Sequence, residues 1–200
     1  MMKITNEKLD RMSLSIATEV LTEAFRNDPL YNVIFENERE LHLYLKLITG
    51  YYNKNGEIHT AIVDDKIVAV SIWNSKGTHL ATISNMLIDG MLLEVIVFFI
   101  RTRFKSIKKL NYEVLITERY HYNKEHKYLF MLGSARKGAG YALMEYAIGK
   151  FNNCPIYLEN SNIKSNKNFY ERLGFHSIKV IDVMGIPVDL LTNGYENDET

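Results

Sequence analysis

The order of two apolar runs constrains this chain most. KYLFMLGS (127–134) is a near-continuous apolar run, the pattern of a strand buried on both faces. Residues 139–151 then read as a helix, with Leu143, Ala147 and Phe151 forming its stripe, and IYLEN (156–160) returns to a strand. A strand–helix–strand unit implies a crossover on a sheet that is at least partly parallel. This removes helical bundles and β-sandwiches and leaves a three-layer α/β or α+β domain.

The flanking sequence fills in the rest. SIATEVLTEAF spaces Ile16, Val20 and Ala24 as one helical face, with Leu21 and Phe25 beside it, and Asn27–Pro29 stops that helix. A second helix covers ERELHLYLKLITGYY, with Leu41, Leu45 and Ile48 on one side. EIHTAIV and KIVAVSIW are β-branched runs separated by Asp64 and Asp65, and they predict an antiparallel hairpin. Residues from about 81 to 109 return to helical patterning in one or two pieces, an insert ahead of the central strand. Cys154-Pro155 breaks the helix after that strand, SNKNFYERLG is a short helix with a glycine stop at Gly174, and a last hairpin turns at Met184-Gly185.

Two hundred residues with 46% hydrophobic content make one domain, residues 1–200, with a frayed tail over about 190–200. Lys plus Arg and Asp plus Glu both number 24, so bulk charge gives no support for a nucleic-acid or membrane partner. MLLEVIVFFI falls short of the roughly 20 residues a spanning helix needs, and MMKITNEKLD has no apolar signal core. A single cysteine, Cys154, forms no internal disulfide, and a cytoplasmic setting is expected. No Cys/His spacing and no HExxH predicts a metal site.

GSARKGAG (133–140) sits between the central strand and its helix. Glycines let backbone N–H groups approach an anion, and the first turn of a helix presents free N–H groups with a positive dipole end. Arg136 and Lys137 add charge. The alternative is a tight turn with two solvated cations. A P-loop is excluded, because Ala139 and Gly140 stand at its Lys and Ser/Thr positions. A dinucleotide fingerprint is excluded by Leu143 at the third glycine.

YLENSNIKSNKNFYERLGF (157–175) resembles the last strand–helix unit of the GNAT N-acetyltransferase superfamily, and KYLFMLGS…GAGYALMEYAI resembles its acetyl-CoA segment. The likeness is densest over about 127–176. EAFRNDPL and KIVAVSIW are similar to the small-molecule branch that includes puromycin-type acetyltransferases. The resemblance implies a mixed, mostly antiparallel central sheet with helices on both faces. It implies acetyl-CoA as cosubstrate and no metal. Leu132, Gly133 and Ser134 would pair with the pantetheine arm as an added strand. Ala135, Arg136, Lys137, Gly138, Ala139, Gly140 and Tyr141 would hold the pyrophosphate. Asn162, Asn166, Phe169 and Arg172 complete the cofactor set, either asparagine serving as the helix-start residue. The chain departs from the family by a shorter turn, with Ala135 where Arg or Gln is usual.

The resemblance also implies that Tyr170 protonates the departing thiolate. Its residue-level alternative is a core aromatic beside Phe169. Glu159 alternates away from Ile156 and Leu158, and it is the expected general base or an ordinary surface carboxylate. His121, His126, Glu113 and Glu118 compete for that role, and spacing does not select among them. Trp73 and Tyr120, with Tyr122, are candidate walls of an acceptor pocket, the insert its cover. The expected activity is acetyl transfer to a small-molecule primary amine, with a homodimer allowed. A peptide N-acetyltransferase and a degenerate acyl-CoA-binding module without turnover are the alternatives.

Overall fold

The computed structural model describes residues 1–74, 81–102, 105–120, 125–152 and 154–194. Their order is β1 (Lys3–Thr5), α1 (Arg11–Phe25), α2 (Pro29–Ile34), α3 (Glu38–Asn55), β2 (Glu57–Val63), β3 (Lys66–Asn74), α4 (Ile83–Ile88), α5 (Leu92–Arg101), α6 (Lys105–Arg119), β4 (Lys127–Ser134), α7 (Ala139–Phe151), β5 (Ile156–Asn160), α8 (Ile163–Arg172), β6 (His176–Val183) and β7 (Ile186–Thr192). The strands form one sheet in the order β1-β2-β3-β4-β5-β7-β6. Only β4 and β5 run parallel, joined through α7 as the crossover requires. The mixed, mostly antiparallel sheet is the class the sequence implies.

Local chemistry sets the element ends. Asp10 caps α1 by accepting from the Ser13 amide at 2.7 Å, and Asn37 caps α3 through the Glu40 amide at 3.0 Å. Asp28 does not simply stop α1. With Pro29 behind it, its carboxylate accepts the Leu30 and Tyr31 amides and starts the separate helix α2. Both hairpins turn on two consecutive residues of positive φ, Asp64-Asp65 and Met184-Gly185, as two-residue hairpin loops require. α7 ends on Asn152, itself at positive φ, before Cys154-Pro155 is reached.

One face of the sheet carries α1, α3 and the insert, around Leu21, Leu45, Ile48, Ile72 and Met131. The other carries α7 and α8, around Trp73, Met144, Phe151, Ile156 and Leu158. The buried stripe of α1 centres on Ala17 and Leu21, with Ile16 half-buried and Ala24 exposed. The helix turns this way because Thr18 and Thr22 also bury against α3, where Thr18 meets Thr49 at 2.9 Å and Thr22 meets His42 at 3.1 Å.

The insert is three helices and reaches Arg119, longer than its patterning predicted. Lys105 binds Glu36 at 2.7 Å, Ser106 donates to Glu40 at 3.1 Å and Lys109 donates to the Val33 carbonyl at 2.6 Å. These bonds hold α6 over α2 and the start of α3. β7 runs through Thr192, so 190–192 belong to the sheet and not to a frayed tail. Residues 195–200 lie outside the described set.

Candidate functional site

The site lies where β4 and β5 part. They pair only over Lys127–Leu129 and Ile156–Leu158, while β4 continues beside β3 as far as Ser134. The last residues of β4 therefore present an edge with no ladder partner on the β5 side. Phe130 is an extra residue in β4, since Ile72 faces Met131 and Trp73 faces Leu129. This β-bulge bends the strand at the point of separation.

Two cavities flank the opening. The outer one, about 250 Å³, is lined by Ala24, Phe25, Leu132, Ser134, Gly140, Asn162, Asn166, Phe169 and Tyr170 among others. Behind it the turn folds back tightly. The Ser134 hydroxyl donates to the Arg136 carbonyl at 2.7 Å, and Gly138 enters α7 at φ 86°. No side chain caps α7; the Ala139 amide donates to the Arg136 carbonyl at 3.1 Å, and the Gly140 and Tyr141 amides are left for solvent or a ligand. Arg136 and Lys137 are exposed beside them. An edge able to take an extended amide chain, leading to an uncapped helix start, fits the pantetheine and pyrophosphate parts of acetyl-CoA.

Not every predicted residue of this set faces the cleft. A Cβ on Gly133 would come within 2.9 Å of Leu21 Cδ2 and 3.0 Å of the Ala24 Cβ, so this glycine lets α1 lie against β4. Tyr141 packs edge-on to Phe169 at 6.3 Å. Arg172 is exposed at the end of α8 and lines neither cavity. Asn162 holds the cap position of α8, whereas Asn166 lies one turn on and donates to Asn160 at 3.1 Å.

The inner cavity, about 90 Å³, is lined by Asp28, Tyr31, Tyr44, Glu113, Tyr128, Glu159, Asn160 and Tyr170 among others. Tyr170 lines both cavities. The FYERLGF segment fixes it there. The Phe175 amide donates to the Tyr170 carbonyl and the Gly174 amide to Glu171, both at 3.0 Å, with Gly174 at φ 81°. This is the Schellman stop of α8. The Tyr170 ring packs on Phe169 at 5.0 Å and Phe175 at 5.7 Å. Tyr170 is 8% exposed, and burial holds its phenol well above the ordinary tyrosine range, so it stays protonated at neutral pH.

Glu159 points into the same cavity. Burial pushes its carboxyl up to about 7, against the Tyr157 and Tyr128 hydroxyls that donate to it, Tyr157 at 3.2 Å. Glu113 comes from α6, and burial followed by the Glu159 charge pushes it up to about 8. The structure thus separates the competing carboxylates. Glu113 joins Glu159, and Glu118 is exposed on α6. His126 packs against the Tyr157 ring at 5.5 Å. His121 and Tyr122 lie outside the described residues.

Two predicted pocket residues do not belong here. Trp73 is 0% exposed beneath α7, with its indole donating to Ser71 at 2.8 Å, because the bulge and strand alternation turn it to the opposite face. Tyr120 is 42% exposed at the end of α6, with Lys179 over its ring at 4.3 Å, and does not line the cavity. The aromatic walls of the inner cavity are instead Tyr31, Tyr44 and Tyr128. Of these only Tyr128 carried a sequence signal, as a polar-tipped residue in an otherwise apolar strand. Asp28 is 7% exposed, and it binds the Ser161 hydroxyl at 2.6 Å as well as capping α2.

Among the described residues no grouping of three or more His, Cys, Asp or Glu could hold a metal ion. No described helix is long and apolar enough to cross a membrane.

No protein-family model and no curated protein matches this sequence. Solved structures do match. A histone acetyltransferase HPA2-related acetyltransferase from Corynebacterium glutamicum superposes with a TM-score of 0.65 at 20% identity, covering 100% of this chain and 99% of its own. Arylalkylamine N-acetyltransferase 2 from Aedes aegypti superposes at 0.58 and 17% identity, covering 96% and 97%. A GNAT-family acetyltransferase from Bacillus cereus superposes at 0.52 and 10% identity, covering 98% and 99%. Matches that run nearly end to end at such low identity establish the architecture: this chain has the fold of the GNAT acetyltransferases.

Proposed function

We propose that the protein is an acetyl-CoA-dependent N-acetyltransferase acting by direct attack of a small-molecule primary amine, as in the puromycin-type branch its sequence resembles. One observation carries this reading. A buried phenol, Tyr170, stands between a cleft suited to coenzyme A and a cavity holding a carboxyl whose pKa is raised to about 7. Acid and base on the two sides of one junction are what aminolysis of a thioester requires.

Acetyl-CoA supplies the thioester carbonyl. The free edge of β4 and the first turn of α7 would bind and orient it. Glu159, ionised for a good fraction of molecules near neutrality, accepts the proton the amine gives up. Tyr170 donates its proton to the sulfur. As the C–N bond forms and the C–S bond breaks, one proton reaches solvent through Glu159, and one returns to Tyr170 from solvent. A phenol raised by burial is a weaker acid, but the same desolvation raises the thiolate, so the donation stays matched.

The test is Tyr170→Phe, assayed by thiol release over an amine panel and by calorimetry with acetyl-CoA. The ring packing is kept and the proton donor lost. The expected result is a kcat lower by about 10²-fold, with the acetyl-CoA Kd and the melting temperature nearly unchanged. Wild-type turnover in the variant would reduce Tyr170 to a packing residue. Acetyl-CoA binding by wild type without thiol release for any amine would favour a binding module.

A further inference from the structure

The inner cavity has more acid than the reaction needs. Asp28, Glu113 and Glu159 all line it, and among the described residues its lining contains no lysine, arginine or histidine. Asp28 is committed to structure, holding two α2 amides and the Ser161 hydroxyl. Glu159 receives two tyrosine hydroxyls. Glu113 has neither a hydrogen bond nor an ion pair with the described residues. It sits on α6 facing Glu159 of β5, Tyr44 of α3 and Tyr31 of α2, none of which carries positive charge. No described residue binds this carboxyl, and both burial and its neighbour oppose its ionisation. A cation arriving with the substrate would relieve both.

The remaining lining says what kind of cation. Phe25, Tyr31, Tyr44 and Phe130 make it aromatic, which suits an alkylammonium with an apolar stem. The carboxyls do not close into a metal-holding group. A volume of about 90 Å³ admits only a short chain.

Building on the acetyl-transfer reading above, we propose that the acceptor is a short aliphatic diamine, with Glu159 meeting the reacting amine and Glu113 holding the second, non-reacting ammonium. An acceptor with a carboxylate in place of that ammonium is repelled by the same residue.

Calorimetry with putrescine, n-butylamine and γ-aminobutyrate tests this on the wild-type protein and on Glu113→Gln. Wild type is expected to bind putrescine about tenfold or more tighter than n-butylamine, with γ-aminobutyrate weakest. Glu113→Gln should bring putrescine down to the level of n-butylamine. Near neutral pH, putrescine should also release protons from wild type, seen as heats that differ between buffers of different ionisation enthalpy, and the variant should release fewer. Equal affinity of wild type for putrescine and n-butylamine, or an undiminished putrescine preference in the variant, overturns the proposal. If the variant does not fold, the wild-type contrast decides alone. Thiol release from acetyl-CoA is scored separately. Turnover of n-butylamine with no gain from putrescine removes the diamine and leaves acetyl transfer standing. The predicted putrescine binding without thiol release does the reverse.

Discussion

Glu159→Gln should weaken the enzyme and strengthen the fold at the same time. Folding moves this carboxyl from an ordinary 4.5 to about 7. Between those values the native state holds more protons than the unfolded one, so its stabilising contribution is complete below about pH 4.5 and is lost as pH rises through about 7. A shift from 4.5 to about 7 corresponds to about 3 kcal/mol at 1.36 kcal/mol per unit. Because Glu159 is only half-buried in the cavity wall, a measured value of about 1–3 kcal/mol is expected. Glutamine has nearly the same shape, and its amide oxygen still accepts from Tyr157 and Tyr128. In denaturant titrations the variant should match wild type near pH 4 and exceed it by that amount near pH 9. With the base removed, thiol release should fall by about 10²–10⁴-fold. In wild type, kcat/KM should rise with pH through about 7 as Glu159 ionises. Parallel stability curves for the two proteins from acid to alkaline pH would refute the burial argument, and full activity in the variant would refute the base.

Other perturbations separate cleft from scaffold. A Cβ at Gly138 meets no neighbour within 4 Å, but Gly138→Val must adopt φ 86°; calorimetry should show weaker acetyl-CoA binding, with a stability loss of about 1–3 kcal/mol. Gly133→Ala drives a Cβ into Leu21 and Ala24; the expected loss is about 1–3 kcal/mol in chemical unfolding, with acetyl-CoA affinity reduced only as far as α1 is displaced. Arg136→Ala with Lys137→Ala should flatten the salt dependence of acetyl-CoA affinity; an unchanged slope takes both residues out of the site.

The sequence was most legible where one residue type does one local job. The bounds of β4, α7 and β5, both hairpin turns and the Gly174 stop follow from periodicity and positive-φ chemistry. Tyr170 was legible because the segment holding it is contiguous. The inner cavity was not, because its walls come from α2, α3, α6, β4 and β5, and no local pattern tells a tyrosine lining a cavity from one in a core. Glu113 and Glu118 are equivalent on paper, and the clamping of α6 by Lys105, Ser106 and Lys109 decides which faces inward. Trp73 misled for the same reason. Its face depends on a register irregularity that the apolar pattern conceals.

That irregularity decides where β4 tolerates a change in length. Leu129 packs toward α7 and Met131 toward α1, although two residues apart they would share a face in a regular strand. Phe130 shifts the count by one, and everything after it follows. Gly133 meets α1, and Ser134 meets the start of α7. Deleting Phe130 would leave Leu129 and Met131 adjacent, on opposite faces as they are now and still across from Trp73 and Ile72, whereas deleting Leu132 would put Ser134 in the place of Gly133 and drive a serine side chain into α1. Replacing Phe130 alters its packing on Tyr52 and Tyr128 and the aromatic wall of the inner cavity, whereas a deletion beyond it exchanges inside for outside along the free edge. A change in the length of β4 is therefore absorbed at residue 130 or in the turns that β4 joins, and not between Met131 and Ser134.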